Sequence, residues 1–380
     1  MAFDVWTAIS WFGFLFVIVY ILPRMMYAQM VYKLEESALK LELLSLKSQK
    51  LIQNKCGSKK GDEEKIRKAV EFFVSMPSNL DPYGIVRKID ETIKQMEKRF
   101  DIIVSSLVST REKEERQRIN YGLRAGMSVH QIAKIVRHYV ETVKKMKNLQ
   151  MAMIIQMQLP MIEKIAKSEY KGTRAFLEGW PVGDSIGSLA AASMMNRAKP
   201  IAKEVVYDYM DIDGRKCFVL KAEGPGPRLG RVDDALQSIM KKHKIDKVIT
   251  IDAGLKLEGE KTGSVAEGVG FAMGGIGQRE LIENMLLPKR IPLDGVIIKV
   301  GLEEAIEPMT SETADAVPKV QEAVHEALKT IKRGKKVVII GIGNSCGTPN
   351  TKEHVPKLVK EIKKRHEKIK AAEKPKKSWF

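Results

Sequence analysis

Three short runs constrain this chain more than anything else in it: KVITIDAG from Lys247, DGVIIKVG from Asp294 and KVVIIGIG from Lys336. Each is rich in β-branched residues, bounded by turn formers, and lacks the polar alternation of a strand with one wet face. Such a strand must be buried on both sides, the condition of parallel strands with helices above and below. Helical stretches separate the runs, Glu312–Lys332 being the clearest, so the second half reads as α/β with a mainly parallel sheet and helices on both faces. Val205, Tyr207 and Tyr209 alternate with polar neighbours, and Asp213-Gly214 before CFVLKA adds a β-hairpin. A last helix is expected after Asn350 and Glu353, with Val355, Leu358, Val359 and Ile362 on one face.

The first half follows another period. Val5 to Leu22 is apolar apart from Thr7 and Ser10, and a helix of that length rises roughly 27 Å, about the thickness of a hydrocarbon core. Asp4 stands where a signal peptide has its basic region and no small-x-small cleavage site follows, so residues 1–24 are expected to be an uncleaved transmembrane anchor. Arg24, Lys33 and Lys40 follow the span and no Lys or Arg precedes it. This charge bias puts the amino terminus outside a cell membrane crossed once and the bulk in the cytoplasm. Residues 25–60 read as a juxtamembrane helix ending in a linker at Cys56-Gly57-Ser58-Lys59-Lys60-Gly61. In 61–172, Asp81-Pro82 offers a helix start, after which Val86, Ile89, Ile93, Met96, Phe100, Ile103 and Leu107 recur at three- and four-residue steps. Ser128 with Gln131 makes a second start, and Val129, Ile132, Val136, Tyr139, Val143 and Met146 repeat the spacing. Two helices packed on each other in a stalk are expected; the same seam is alternatively a surface for a second copy or a partner. Met151–Ile162 is apolar but too short to span a bilayer, so a buried helix is expected there. The α/β domain then covers 173–370, and 371–380 form a basic disordered tail.

The net charge of +18 is unevenly placed: residues 171–351 are nearly balanced, whereas 352–380 carry 11 Lys/Arg against 4 Asp/Glu. The excess points to anionic lipid at the membrane or to an acidic partner, nucleic acid included. Cys56, Cys217 and Cys346 are odd in number and far apart, which argues against a disulfide framework or a zinc site and for a reducing compartment.

Ligands of open α/β sheets bind beyond the carboxyl ends of strands. Four turns fall at such positions: Asp184-Ser185-Ile186-Gly187, Glu223-Gly224-Pro225-Gly226, Asp252 with Gly268 to Gly277, and Gly341-Ile342-Gly343-Asn344. Glycine lets backbone N–H groups approach an anion, which makes Gly224, Gly226, Gly268, Gly270, Gly274, Gly275, Gly341, Gly343 and Asn344 candidates for an anion or phosphate. No nucleotide signature is met, since GVGFAMGGIG begins about fifteen residues after its strand. Among acids at these turns, Asp252, Asp184 and Glu267 are the catalytic candidates, with Glu223 beside them. Two carboxylates brought close share a proton or hold a divalent metal, the minimal equipment for activating water. The histidines do not cluster. Cys346 after GIGNS offers a thiol with no base nearby in sequence.

The set PVGDSIGSLAAA, KAEGPGPRLG, IDAG, EGVGFAMGGIGQRE, IPLDGVIIKVGLEEAI and VVIIGIGN, together with the anchor, resembles an archaeal membrane-protein family described only as a domain of unknown function (DUF 1512). The resemblance covers essentially the whole chain and implies no activity. A remoter likeness is to hydrogenase-maturation endopeptidases and the spore germination protease, which implies a phosphorylase-like α/β fold. Their glycine-asparagine strand end is similar to Gly341, Gly343 and Asn344, and their acidic loop to Gly183-Asp184 with Gly187. The germination protease's Ile-Asp-Ala strand end resembles Ile251-Asp252-Ala253. In those families the first two motifs are neighbours in sequence; in this chain they lie at opposite ends of the domain. The function expected is a hydrolase or peptidase-like site of paired carboxylates, with a membrane-tethered scaffold or a phosphate-ligand sensor as the alternative.

Overall fold

The computed structural model describes residues 5–57, 62–72, 74, 84–108, 110, 112–270 and 278–373. Helix α1 (Val5–Phe16) passes through one π-helical turn, Val17–Ile21, into α2 (Leu22–Cys56). Over Ile9–Cys56 this is one helix long and apolar enough to cross a membrane, with mean hydropathy 1.8 in its most apolar window and none of that window buried. Trp6 and Phe12 are both 75% exposed, a surface that water alone does not favour.

Below this segment α2 joins α3 (Asp62–Val70), α4 (Ile85–Leu107), α5 (Lys113–Met146) and α6 (Leu149–Glu178). Leu34, Ala38 and Leu41 of α2 pack with Val136, Val140 and Val143 of α5 and with Ala152 and Leu159 of α6. Further along, Ile52 meets Ile66 of α3, Phe100 and Val104 of α4, Ile119 and Leu123 of α5 and Leu177 of α6. The two expected seams do not close on each other: Phe100 and Leu107 of α4 pack with Ile119 and Leu123 at the start of α5, whereas Val136 and Val143 pack with α2 and α6, which makes α2 a full member of the bundle. Ser128 starts no helix: α5 runs straight through it, and its Oγ donates to the Arg124 carbonyl. The apolar seam continues upstream through Ala125 and Ile119, and packing of that face overrides a local capping signal. Val129, Val136 and Val143 are buried within the chain, whereas Tyr139 and Met146 of the same seam are 45% and 65% exposed. The Met151–Ile162 stretch is half buried: Ala152 and Leu159 face the core, while Met153, Ile154, Met157 and Met161 are exposed. Asp81-Pro82 and Ser58–Gly61 lie outside the described residues.

After α6 come α7 (Ile186–Met194), β1 (Lys199–Ala202), β2 (Val205–Ile212), β3 (Arg215–Ala222), α8 (Val232–Lys242), β4 (Lys247–Leu255), β5 (Val265–Val269) and α9 (Gln278–Leu286). They are followed by β6 (Leu293–Val300), α10 (Leu302–Ile306), α11 (Ser311–Ala314), α12 (Val317–Lys329), β7 (Lys336–Gly341) and α13 (Val355–Glu373). The strands form one mixed sheet in the order β1-β2-β3-β7-β4-β6-β5. Its centre is parallel from β3 through β7 and β4 to β6, while β1, β2 and β5 run antiparallel at the edges. The parallel expectation therefore holds for the apolar runs that prompted it and fails at the flanks, where hairpins and a short return strand supply the neighbours. Both faces of the centre are covered, as its composition requires: Val337 and Ile339 face α7, α12 and α13, and Val338 and Ile340 face α8 and α9. The hairpin turn sits at Asp213 and Gly214, with φ 52° and 79°. Glu312–Lys332 divides into α11 and α12 ahead of Pro318, which opens the second helix. Gly268 and Val269, expected in a turn, belong to the edge strand β5.

Candidate functional site

The close approach of α7 to the sheet creates the site. A Cβ on Gly187 would lie 2.3 Å from the Ile342 carbonyl oxygen and 2.4 Å from that of Ile251. Only glycine lets the helix start rest on the ends of β4 and β7. Gly343 turns the chain at φ 100°, where a Cβ would fall 2.0 Å from the Asp184 carbonyl oxygen. The Asn344 N–H then donates to Asp184 Oδ2 at 2.8 Å. Asp184 is thus clamped beside the end of β7 from 160 residues away in sequence. Burial pushes its carboxyl above the ordinary value, an effect tempered by the Asn344 N–H. Asp252, buried near the end of β4, accepts from the Ala253 N–H at 2.7 Å.

Both carboxylates line one cavity of about 340 Å³, together with Ile342 and Gly343. The helical half closes its other side with Asp90, Ile93 and Glu97 of α4 and Tyr121 of α5, while Lys203, Glu204, Arg231 and Gln278 complete the wall. Arg231 donates to Asp90 at 2.6 Å and to Asp233 at 2.8 Å, and Lys203 donates to Glu97 at 2.9 Å. Gln278 fixes the loop before α8 by donating to Gly230 O at 3.0 Å and accepting from Val232 N at 3.2 Å. Glu204 accepts from Gln117, and burial raises its carboxyl pKa; burial likewise pushes the Tyr121 phenol up. The two cations of the wall are each bound to a wall carboxylate, and Glu204 also lies 3.8 Å from Arg228.

The other predicted residues lie elsewhere. Glu267 is exposed on β5, paired in register with Val296, and does not line the cavity. Gly268 and Gly270 border open space on the same edge, and Gly274 and Gly275 lie outside the described residues. At Gly224, Gly226 and Gly341 the space a side chain would occupy is taken by the chain itself, respectively by Thr348 O at 1.9 Å, Glu114 Oε2 at 2.0 Å and Gly187 O at 2.4 Å. Asn344 spends its side-chain oxygen on the Cys346 N–H at 2.8 Å, and Glu223 binds Lys113 at 2.8 Å. Cys346 is fully buried and its thiol pushed up to about 12, so it is no nucleophile. Among the described residues no three His, Cys, Asp or Glu side chains group as metal ligands; Asp184 and Asp252 offer a donor set short of a metal site, and none is assigned.

Sequence reasoning missed the wall supplied by the helical half. Asp90, Ile93 and Glu97 share one helical face, and a pair of acids flanking an apolar residue on a packing seam was the available sign. Arg231 with Asp233 and Asp234 at a helix start was the other.

Residues 8–179 match the family model described as protein of unknown function (DUF1512) N-terminal domain, and residues 182–349 match that described as domain of unknown function (DUF1512) C-terminal. No curated protein and no solved structure matches the chain.

Proposed function

The chain belongs to the DUF1512 family, and from that premise we propose that it is a membrane-anchored hydrolase of archaeal cells, with α1 and the start of α2 in the bilayer and the cavity on the cytoplasmic side. The observation that carries this reading is the convergence of Asp184 and Asp252 on one cavity at the ends of β4 and β7. Asp252 takes a proton from water as the water attacks a carbonyl carbon. Asp184, whose carboxyl is raised by burial, is the group placed to deliver a proton to the leaving amine. The remote likeness to the maturation endopeptidases supports the same reading, since the Asn344–Asp184 bond joins in space what those families keep adjacent in sequence.

The test is cleavage of a peptide library followed by mass spectrometry. Wild type should cut members of the library, and Asp252→Asn should be at least about 100-fold slower; equal rates would remove the hydrolase reading. A second reading concerns binding. Lys357, Lys360, Lys364 and Lys368 are exposed on α13 at steps of three and four residues, one basic face suited to anionic lipid. Vesicles with phosphatidylserine should hold α13 in a salt-dependent way, and salt-independent binding would refute it.

A further inference from the structure

The outer face of α2 carries an apolar stripe that its own bundle leaves open. Met25, Tyr32, Leu39 and Leu46 recur every seven residues, with Leu43 between the last two, and they are 65%, 71%, 49%, 61% and 57% exposed in that order. The core-facing residues of the same helix, Leu34, Ala38, Leu41 and Ile52, lie on the opposite side. A seven-residue period with an intervening step of four and three is the spacing of a two-stranded coiled coil. We propose that this stripe is the seam of a parallel homodimer and that a second copy of this chain covers it.

Charge identifies the occupant. Glu35 and Glu42 flank the stripe on one side, where they also hold Arg137 of α5. Lys33, Lys40 and Lys47 flank it on the other and are exposed. In a parallel pair each flanking acid reaches the residue five positions on in the partner helix. Glu35 therefore meets Lys40 of the second copy, and Glu42 meets its Lys47. Lys40 would exchange or share its present partner, Glu36, which it bonds at 2.7 Å. Lipid does not reach this surface: Leu39 to Leu46 lie about 25–36 Å beyond Leu22 along the helix, whereas the headgroup layer extends only about 6 Å past the hydrocarbon. An anchored chain also meets its twin parallel and at the same height, which selects this pairing over an antiparallel one. Glu36 and Lys50 interrupt the seam, so close packing is confined to Leu39, Leu43 and Leu46. Confinement to a membrane plane then raises the effective concentration of the second copy.

The experiment uses the full-length chain in lipid nanodiscs and in micelles, with Cys56→Ser as background because Cys217 and Cys346 are buried. Leu43→Cys should form a disulfide-linked dimer under mild oxidation at least five-fold more readily than Ile135→Cys, an exposed control on α5. Adding Leu39→Glu with Leu46→Glu should abolish the cross-link and halve the protein mass measured in micelles, with helicity by circular dichroism unchanged. Lys40→Glu with Lys47→Glu should weaken it several-fold. Cross-linking of Leu43→Cys no better than the control would overturn the proposal. So would a monomeric mass for wild type with residue 43 shielded from maleimide, which would assign the stripe to another occupant.

Discussion

At the scale of single residues, two buried ionisable groups set opposite pH dependences. Asp184 has its carboxyl raised by burial, so the folded state binds its proton more tightly than the unfolded chain does. Stability is therefore lost as pH rises from the ordinary value near 3.8 through the raised one, and the loss persists above it. Asp184→Asn keeps an acceptor for the Asn344 N–H and carries no charge. It should be more stable than wild type at pH 7 and equal to it near pH 3, as measured by thermal melting, while being catalytically weakened. Lys221 behaves in the opposite sense: it is fully buried, donates to Ala222 O at 2.6 Å and Asn350 Oδ1 at 3.1 Å, and burial pulls it down to about 7. The folded chain releases this proton before the unfolded one, so stability rises between about 7 and 10.5. In Lys221→Met that rise should be missing from urea titrations at pH 7 and pH 10. A midpoint that changes with pH as in wild type would contradict the assignment.

The elements show where sequence alone was enough. Strands β4, β6 and β7 were legible because burial on both faces leaves no other composition, and the β2–β3 hairpin was legible from Asp213-Gly214. What was not legible depended on partners distant in the chain. The false start at Ser128 obeyed a local rule that packing along α5 overrode, and β5 was hidden because an edge strand opposite β6 needs little apolar signal. Of the site, Asp184 and Asp252 could be nominated from their turns, but Glu267 satisfied the same sequence criterion and lies on the far edge. Nothing local distinguishes them; the Gly187 contact does. Gly187→Ala forces a methyl against two backbone carbonyls that cannot yield, and should cost about 3 kcal/mol. Gly268→Ala, next to open space, should shift the urea midpoint little by comparison. Equal shifts for the two would mean that α7 is not positioned by this contact.

Across the whole molecule, the cavity is closed by the helical half lying against the sheet domain, and several ion pairs cross between the two. Arg231 reaches Asp90, Lys203 reaches Glu97, and Lys171 reaches Glu307 at 3.0 Å. The most deeply set of these contacts is Arg228, whose side chain is 0% exposed and which grips Glu114 of α5 through two nitrogens at 2.7 and 3.1 Å. A buried ion pair adds little net stability over apolar residues of the same volume, but removing one member leaves the other charge without compensation. Glu114→Gln should therefore lower stability by about 3–5 kcal/mol. The double variant Glu114→Leu with Arg228→Met should recover much of that, because neither charge remains to be buried. The measurement is a urea midpoint for wild type, single and double variants, with activity on the peptide library alongside. If the pair serves to hold the cavity wall in register, the double variant should be stable yet impaired in cleavage. Wild-type cleavage in the double variant would show that α5 needs no ionic clamp to close the site.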